Sequence, residues 1–115
     1  MMKILLLILM CAHGLLHLLG FVKAFKLAPL TQMPHPITKV NGILWLIAAC
    51  LIISCGVMFY TNMEGWWIVG VISVVVSEYV IVKDWSDAGL GTTLNILVLI
   101  ICILGFGFWR VSGVI

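Results

Sequence analysis

Charge is what this chain is shortest of. Its 115 residues include six Lys or Arg and four Asp or Glu, 9% of the total, where a soluble domain carries about 25%. The basic residues are scattered and the net charge is +2, so no basic arm or stripe offers itself to nucleic acid. Apolar residues make up 64% of the chain. A soluble fold of this size leaves too much surface in water to hide them. Lipid as the solvent removes that difficulty, and the sequence is read as an integral membrane protein in contact with membrane lipid.

Proline is sparse too. Pro29, Pro34 and Pro36 are the three present, and all fall in one segment, "KLAPLTQMPHPI", where they stop a helix and keep the chain extended. The start, "MMKILLLILMCAHG", has no small-x-small cleavage pattern before polar sequence, and its apolar run continues to Phe25. It is expected to be a retained spanning helix rather than a secretory leader. Cys11, Cys50, Cys55 and Cys102 include no C-x-x-C pair, which argues against thioredoxin-type redox chemistry. Cys50 and Cys55 lie five apart, about 140° around a helix, so they share no ligand face. All four are read as small apolar packing residues.

Four apolar segments remain, over residues 3–25, 38–60, 65–82 and 88–109. Each approaches the ~20 residues that a spanning helix needs. Backbone groups cannot go unpaired in hydrocarbon, so even the third, Val- and Ile-rich "GWWIVGVISVVVSEYVIV", is predicted helical. The connections are short, which makes neighbours antiparallel. The expected fold is an all-α membrane protein, a single domain over residues 1–115, with four transmembrane helices in an up-down-up-down bundle. Lys23, Lys26, Lys39 and Lys83 gather at loops 26–38 and 83–88, against Lys3, Glu64 and Arg110 at the other end. The positive-inside bias then places those two loops in the cytoplasm. Tyr60, Trp66, Trp67 and Trp109 suit an interfacial aromatic belt at the opposite side.

With that topology, His17, Lys23, Asn41, Ser77, Glu78, Asp84, Thr92 and Asn95 fall in one half of the membrane, with His13 near its midplane. Glu78 lies roughly 6–8 Å inside its helix end. Ionisable residues in spanning helices cost about 2.5–3.5 kcal/mol on insertion scales and tend to face one another or water. Polar residues from four helices at one depth therefore predict an interior polar half-pocket. Its expected lining is His13, His17, Lys23, Asn41, Trp45, Ser77, Glu78 and Asn95. His13 and His17 are four apart and share a helix face, as do Asn41 and Trp45. Gly70, Ser73 and Ser77 form a small stripe that admits close helix approach.

Several chemistries fit such a pocket. Histidines at i and i+4 can share a metal, with Glu78 or Asp87 as a third ligand. The flanking residues supply no H-E-x-x-H motif, and the same two histidines can instead bond across helices to Asn41, Asn95 or Ser77. Haem does not suit two histidines on one helix, because its axial ligands come from opposite sides of the iron. Glu78 is a candidate proton-coupled carboxyl or a partner for Lys23. Asp87 is expected to cap the fourth helix. Gly56, Gly65, Gly70, Gly105 and Gly107 could support a homo-oligomer through close helix contacts.

The stretches "AHGLLHLLGFVKAF", "GILWLIAA" and "WSDAGLGTTLNILVLI" resemble a group of small bacterial four-helix membrane proteins to which no function is assigned. More loosely, the chain resembles the DoxX-like superfamily through His13, Gly14, Gly20 and Lys23. That resemblance implies a bacterial cytoplasmic membrane and a quinone-linked or partner-subunit role. Where related sequences carry a basic or amide residue beside Ser77, this chain has Glu78.

The leading expectation is a non-enzymatic membrane module. It would bind a lipid-like or quinone-type ligand, polar at one end and apolar at the other, or serve as a subunit of a larger complex. A small proton-coupled transporter working as a dimer is the second expectation. A metal-dependent membrane enzyme using His13, His17 and Glu78 is the third.

Overall fold

The computed structural model of the chain describes residues 2–27, 37–83 and 89–112, with side chains over 4–27, 37–83 and 89–104. The described residues form four helices: α1 (Met2–Ala24), α2 (Lys39–Tyr60), α3 (Trp66–Lys83) and α4 (Gly91–Ser112). The first three are long and apolar enough to cross a membrane, and α4 contributes a shorter apolar stretch, Gly91–Leu104. At 1.5 Å per residue a 22-residue helix spans about 33 Å, close to the ~30 Å of a hydrocarbon core. The molecule is 47 Å along its long axis and about half that across.

The helix ends have local causes. Thr38 is the N-cap of α2, its hydroxyl accepting from the Asn41 amide at 3.2 Å. At the end of α1, the Leu27 amide reaches back to Val22 and the Lys26 amide to Lys23, with Lys26 in the left-handed region at φ 55. The end of α2 repeats this pattern: Met63 reaches back to Met58, Asn62 to Phe59, and Asn62 takes φ 60. Both are Schellman closures, which favour Gly or Asn at the left-handed position. Asn62 fits. Lys26 sits there against its own sterics, at about 1–2 kcal/mol, while glycine there would lose more chain entropy, about 0.4–1 kcal/mol. Lys26→Gly is therefore expected to stabilise the protein by roughly 0.5–1 kcal/mol, read as a rise in its unfolding midpoint. A drop would show that the Lys26 side chain holds something the backbone argument ignores.

α4 starts at Gly91, three residues later than expected, after a turn in which Thr92 and Thr93 bond back to Gly89 and Leu90. Asp84 and Asp87, including the proposed cap, lie outside the described residues, as do the prolines of the first loop.

Each helix packs antiparallel on the one before it. Along α1 and α2 the pairs run Met10 with Gly56, Gly14 with Ile53 and Ala49, Gly20 with Trp45, and Ala24 with Gly42. Along α3 and α4 they run Gly70 with Cys102, Ser77 with Asn95, and Ile81 with Gly91. Small residues let these backbones approach: a methyl at Gly14 would meet Ile53 at 2.6 Å, and one at Gly91 would meet Ile81 at 2.8 Å. Gly56 and Gly70, read as candidates for contacts between chains, are occupied within this one by Met10 and by Cys55 and Cys102. Gly65 serves a turn at φ 79.

Two apolar clusters result. One joins Met10, Ile52, Cys55, Trp66, Val98 and Cys102; the other joins Ala24, Ile37, Trp45, Val80 and Ile81. Large apolar side chains such as Leu15, Leu16, Val75 and Ile103 point outward, each more than half exposed, the inverse of a soluble surface rule.

Candidate functional site

Five polar residues are buried among those described: His13, His17, Ser73, Ser77 and Asn95, none more than 3% exposed. By their positions along the helices they form a layer between the two apolar clusters. Ser73 returns its hydroxyl to the Gly70 carbonyl of its own helix at 2.7 Å. The other four join one network with Glu78 and Thr92, which are half-buried and form its outer edge.

The protons in that network follow from donor and acceptor chemistry. His17 Nδ1 lies 2.9 Å from the His13 carbonyl, an acceptor, so Nδ1 carries a hydrogen. In the neutral ring His17 Nε2 is then an acceptor, and the Ser77 hydroxyl donates to it at 2.5 Å. Ser77 Oγ in turn accepts from Asn95 Nδ2 at 2.9 Å. The second hydrogen of Nδ2 goes to Glu78 Oε1 at 3.1 Å. Asn95 Oδ1 accepts from His13 Nε2 at 2.9 Å, which sets the opposite tautomer on His13. Thr92 Oγ1 completes the chain, 3.1 and 3.0 Å from the two Glu78 oxygens. No buried side-chain nitrogen or oxygen among the described residues lacks a partner.

Of the three titratable groups in this network, His13 donates to the Asn95 amide oxygen, while His17 and Glu78 each abut a hydroxyl. A hydroxyl can donate or accept by rotation. If His17 Nε2 gains a proton, Ser77 turns from donor to acceptor there, and its hydrogen can point to Asn95 Oδ1 at 3.1 Å. If Glu78 gains a proton, Thr92 Oγ1 can accept from either carboxyl oxygen. His17 and Glu78 can each change protonation state without displacing a heavy atom.

α2 contributes aromatic packing. The Trp45 ring lies 5.0 Å from that of His17, and the His13 and His17 rings meet edge to face at 4.6 Å. Of the eight residues expected to line the site, His13, His17, Ser77, Glu78 and Asn95 are bonded together, and Trp45 packs against His17. Lys23 and Asn41, both half-buried, stand outside the network; Asn41 gives its backbone amide to Thr38. The histidines take two of the cross-helix partners considered for them, Asn95 and Ser77. The described residues hold no group of three His, Cys, Asp or Glu side chains placed to bind a metal ion, so His13, His17 and Glu78 do not form such a set. Their geometry goes to hydrogen bonds instead.

Thr92 shares the depth of these residues but is absent from the expected lining; its role depends on helix register, which apolar periodicity leaves open. A second pairing also escaped the sequence: Cys55 and Cys102, on different helices, both face Gly70.

Compared with protein-family models, curated proteins and solved structures, the chain matches none of them.

Proposed function

We propose that the chain is an integral membrane protein whose four helices cross the bilayer up-down-up-down. Its buried network serves as a proton-exchanging site of a small proton-coupled carrier. One observation carries this reading: Glu78 and His17, joined through Asn95 and Ser77, each contact a hydroxyl that can satisfy either protonation state. A network meant only to hold helices together has no need of that latitude, and a carboxyl inside a span is costly to keep. The described partners of Glu78 are the neutral donors Thr92 and Asn95. A bound proton or a cationic substrate can each neutralise it there. The basic residues near loops 26–38 and 83–88 support a cytoplasmic place for those loops, in a bacterial inner membrane if the DoxX-like resemblance holds.

The test uses protein in lipid vesicles with weak buffer, and tetraphenylphosphonium as a lipophilic cation probe. Wild type is expected to release protons in proportion to the cation bound. Glu78→Gln, which keeps the size and accepts from Asn95, is expected to release none. Proton release that survives in folded Glu78→Gln would sink this reading, as would its absence in wild type.

A second reading, a quinone-type headgroup bound beside the network, draws on the Trp45 ring set against His17. It predicts saturable binding of decylubiquinone that weakens in Trp45→Leu while the phosphonium probe has no effect on pH.

A further inference from the structure

The end of the molecule away from the histidines carries a different chemistry. Cys55 on α2 and Cys102 on α4 are 0% and 1% exposed. Both sulfurs approach Gly70 of α3: a methyl there would overlap the Cys102 sulfur and stand 3.0 Å from that of Cys55. Both are reduced, and Cys55 also lies 3.3 Å from the Trp66 carbonyl, at the first residue of α3. Met10, 3% exposed, belongs to the same cluster, and Met58 packs against it.

We propose that Cys55, Cys102 and Met10 form a binding site for a soft monovalent cation, Cu(I) or Ag(I). Sulfur type decides the class of ion. Thiolate and thioether ligands select Cu(I) over harder ions. Charge balance decides its valence. A monovalent ion enters as one thiol proton leaves to water, so the buried site stays neutral. A divalent ion such as Zn²⁺ would need two thiolates for neutrality and two further ligands for its tetrahedral shell, and the described residues offer no third Cys, His, Asp or Glu there. The glycine matters to the geometry. Any side chain at position 70 would stand between the two sulfurs, whereas a bare backbone leaves them close enough for one ion to bridge.

This site is independent of the proton-exchange reading, and its test does not use that activity. The reduced, detergent-solubilised chain is titrated with Cu(I) in competition with bathocuproine disulfonate. One Cu(I) per chain is expected to be retained against the chelator, with an all-sulfur shell in its X-ray absorption spectrum. Cys55→Ala and Cys102→Ala are each expected to weaken retention by about 100-fold or more, and Met10→Leu by about 10-fold. Cys50→Ala, on the exposed face of α2, should match wild type. Loss of all copper from wild type to the chelator would overturn the proposal. So would nitrogen or oxygen scatterers in the shell, or a Cys102→Ala variant that holds copper as tightly as the parent. The spectrum is taken on wild type, so a variant that fails to fold does not spoil the test.

Discussion

Asn95→Leu is expected to destabilise the protein by about 2–5 kcal/mol, more than the loss of any other side chain in the buried polar layer. The estimate comes from its partners. Asn95 is the residue through which α1 and α4 share a side-chain bond, at His13, and it also holds Ser77 and Glu78 of α3. Hydrogen bonds within membranes average about 0.6 kcal/mol and reach about 1.7, so three of them give a floor near 2 kcal/mol. The ceiling comes from what is left behind. His13 Nε2–H would be left buried without that partner, at about 1–3 kcal/mol, while half-buried Glu78 keeps Thr92. Thr92→Val, which removes contacts to Glu78 alone, should cost about 0.6–1.7 kcal/mol. Equilibrium unfolding in mixed micelles compares the two. Equal costs would mean that water or lipid headgroups replace Asn95, and that the layer is wet rather than enclosed. The same outcome would weaken the proton-exchange reading, which relies on Asn95 to join His17 with Glu78.

Part of that layer is legible in the sequence. Apolar run length set the number and type of the helices, because hydrocarbon leaves the backbone few alternatives. The antiparallel order followed from the short connections. Counting residues from the helix ends then placed His17, Ser77, Glu78, Thr92 and Asn95 at one depth, and the structure bonds all five into one network. What depth could not supply was rotation about each helix axis. In a soluble helix an apolar stripe marks the buried face; here both faces are apolar, one toward neighbours and one outward, so the pattern is nearly silent. Lys23 and Asn41 share the depth of the others and still stand apart. Spacing along one helix compares Cys50 with Cys55 alone, whereas the proximity of Cys55 to Cys102 comes from two helices meeting at Gly70. The start of α4 was placed early at Asp87, because a good capping residue is a local signal, while the actual start at Gly91 goes with a tight contact to Ile81.

Gly20 ties the packing of α1 on α2 to the polar layer, and its substitution separates two opposed effects. Alanine is the better helix former by about 1 kcal/mol, so on propensity alone Gly20→Ala should stabilise. Yet a methyl at Gly20 would lie within the Trp45 ring, 2.6 Å from Cδ1 and nearer still to Cγ and Cδ2. Trp45 is 3% exposed and in tilted ring contact with His17, so the ring can yield only by leaving the histidine or by pushing α2 away. Overpacking of this kind costs about 1–3 kcal/mol, and a rigid indole within a packed interface puts it toward the upper end. The clash therefore wins, and Gly20→Ala should be net destabilising by about 1–2 kcal/mol. The sign should reverse once the ring is gone: in a Trp45→Leu background Gly20→Ala should be neutral or stabilising, a coupling within the 0.5–3 kcal/mol range of contacting residues. A cost that persists in the Trp45→Leu background would place the conflict in the backbones of α1 and α2 themselves. Trp45 would then be a bystander at the interface rather than the reason position 20 is glycine.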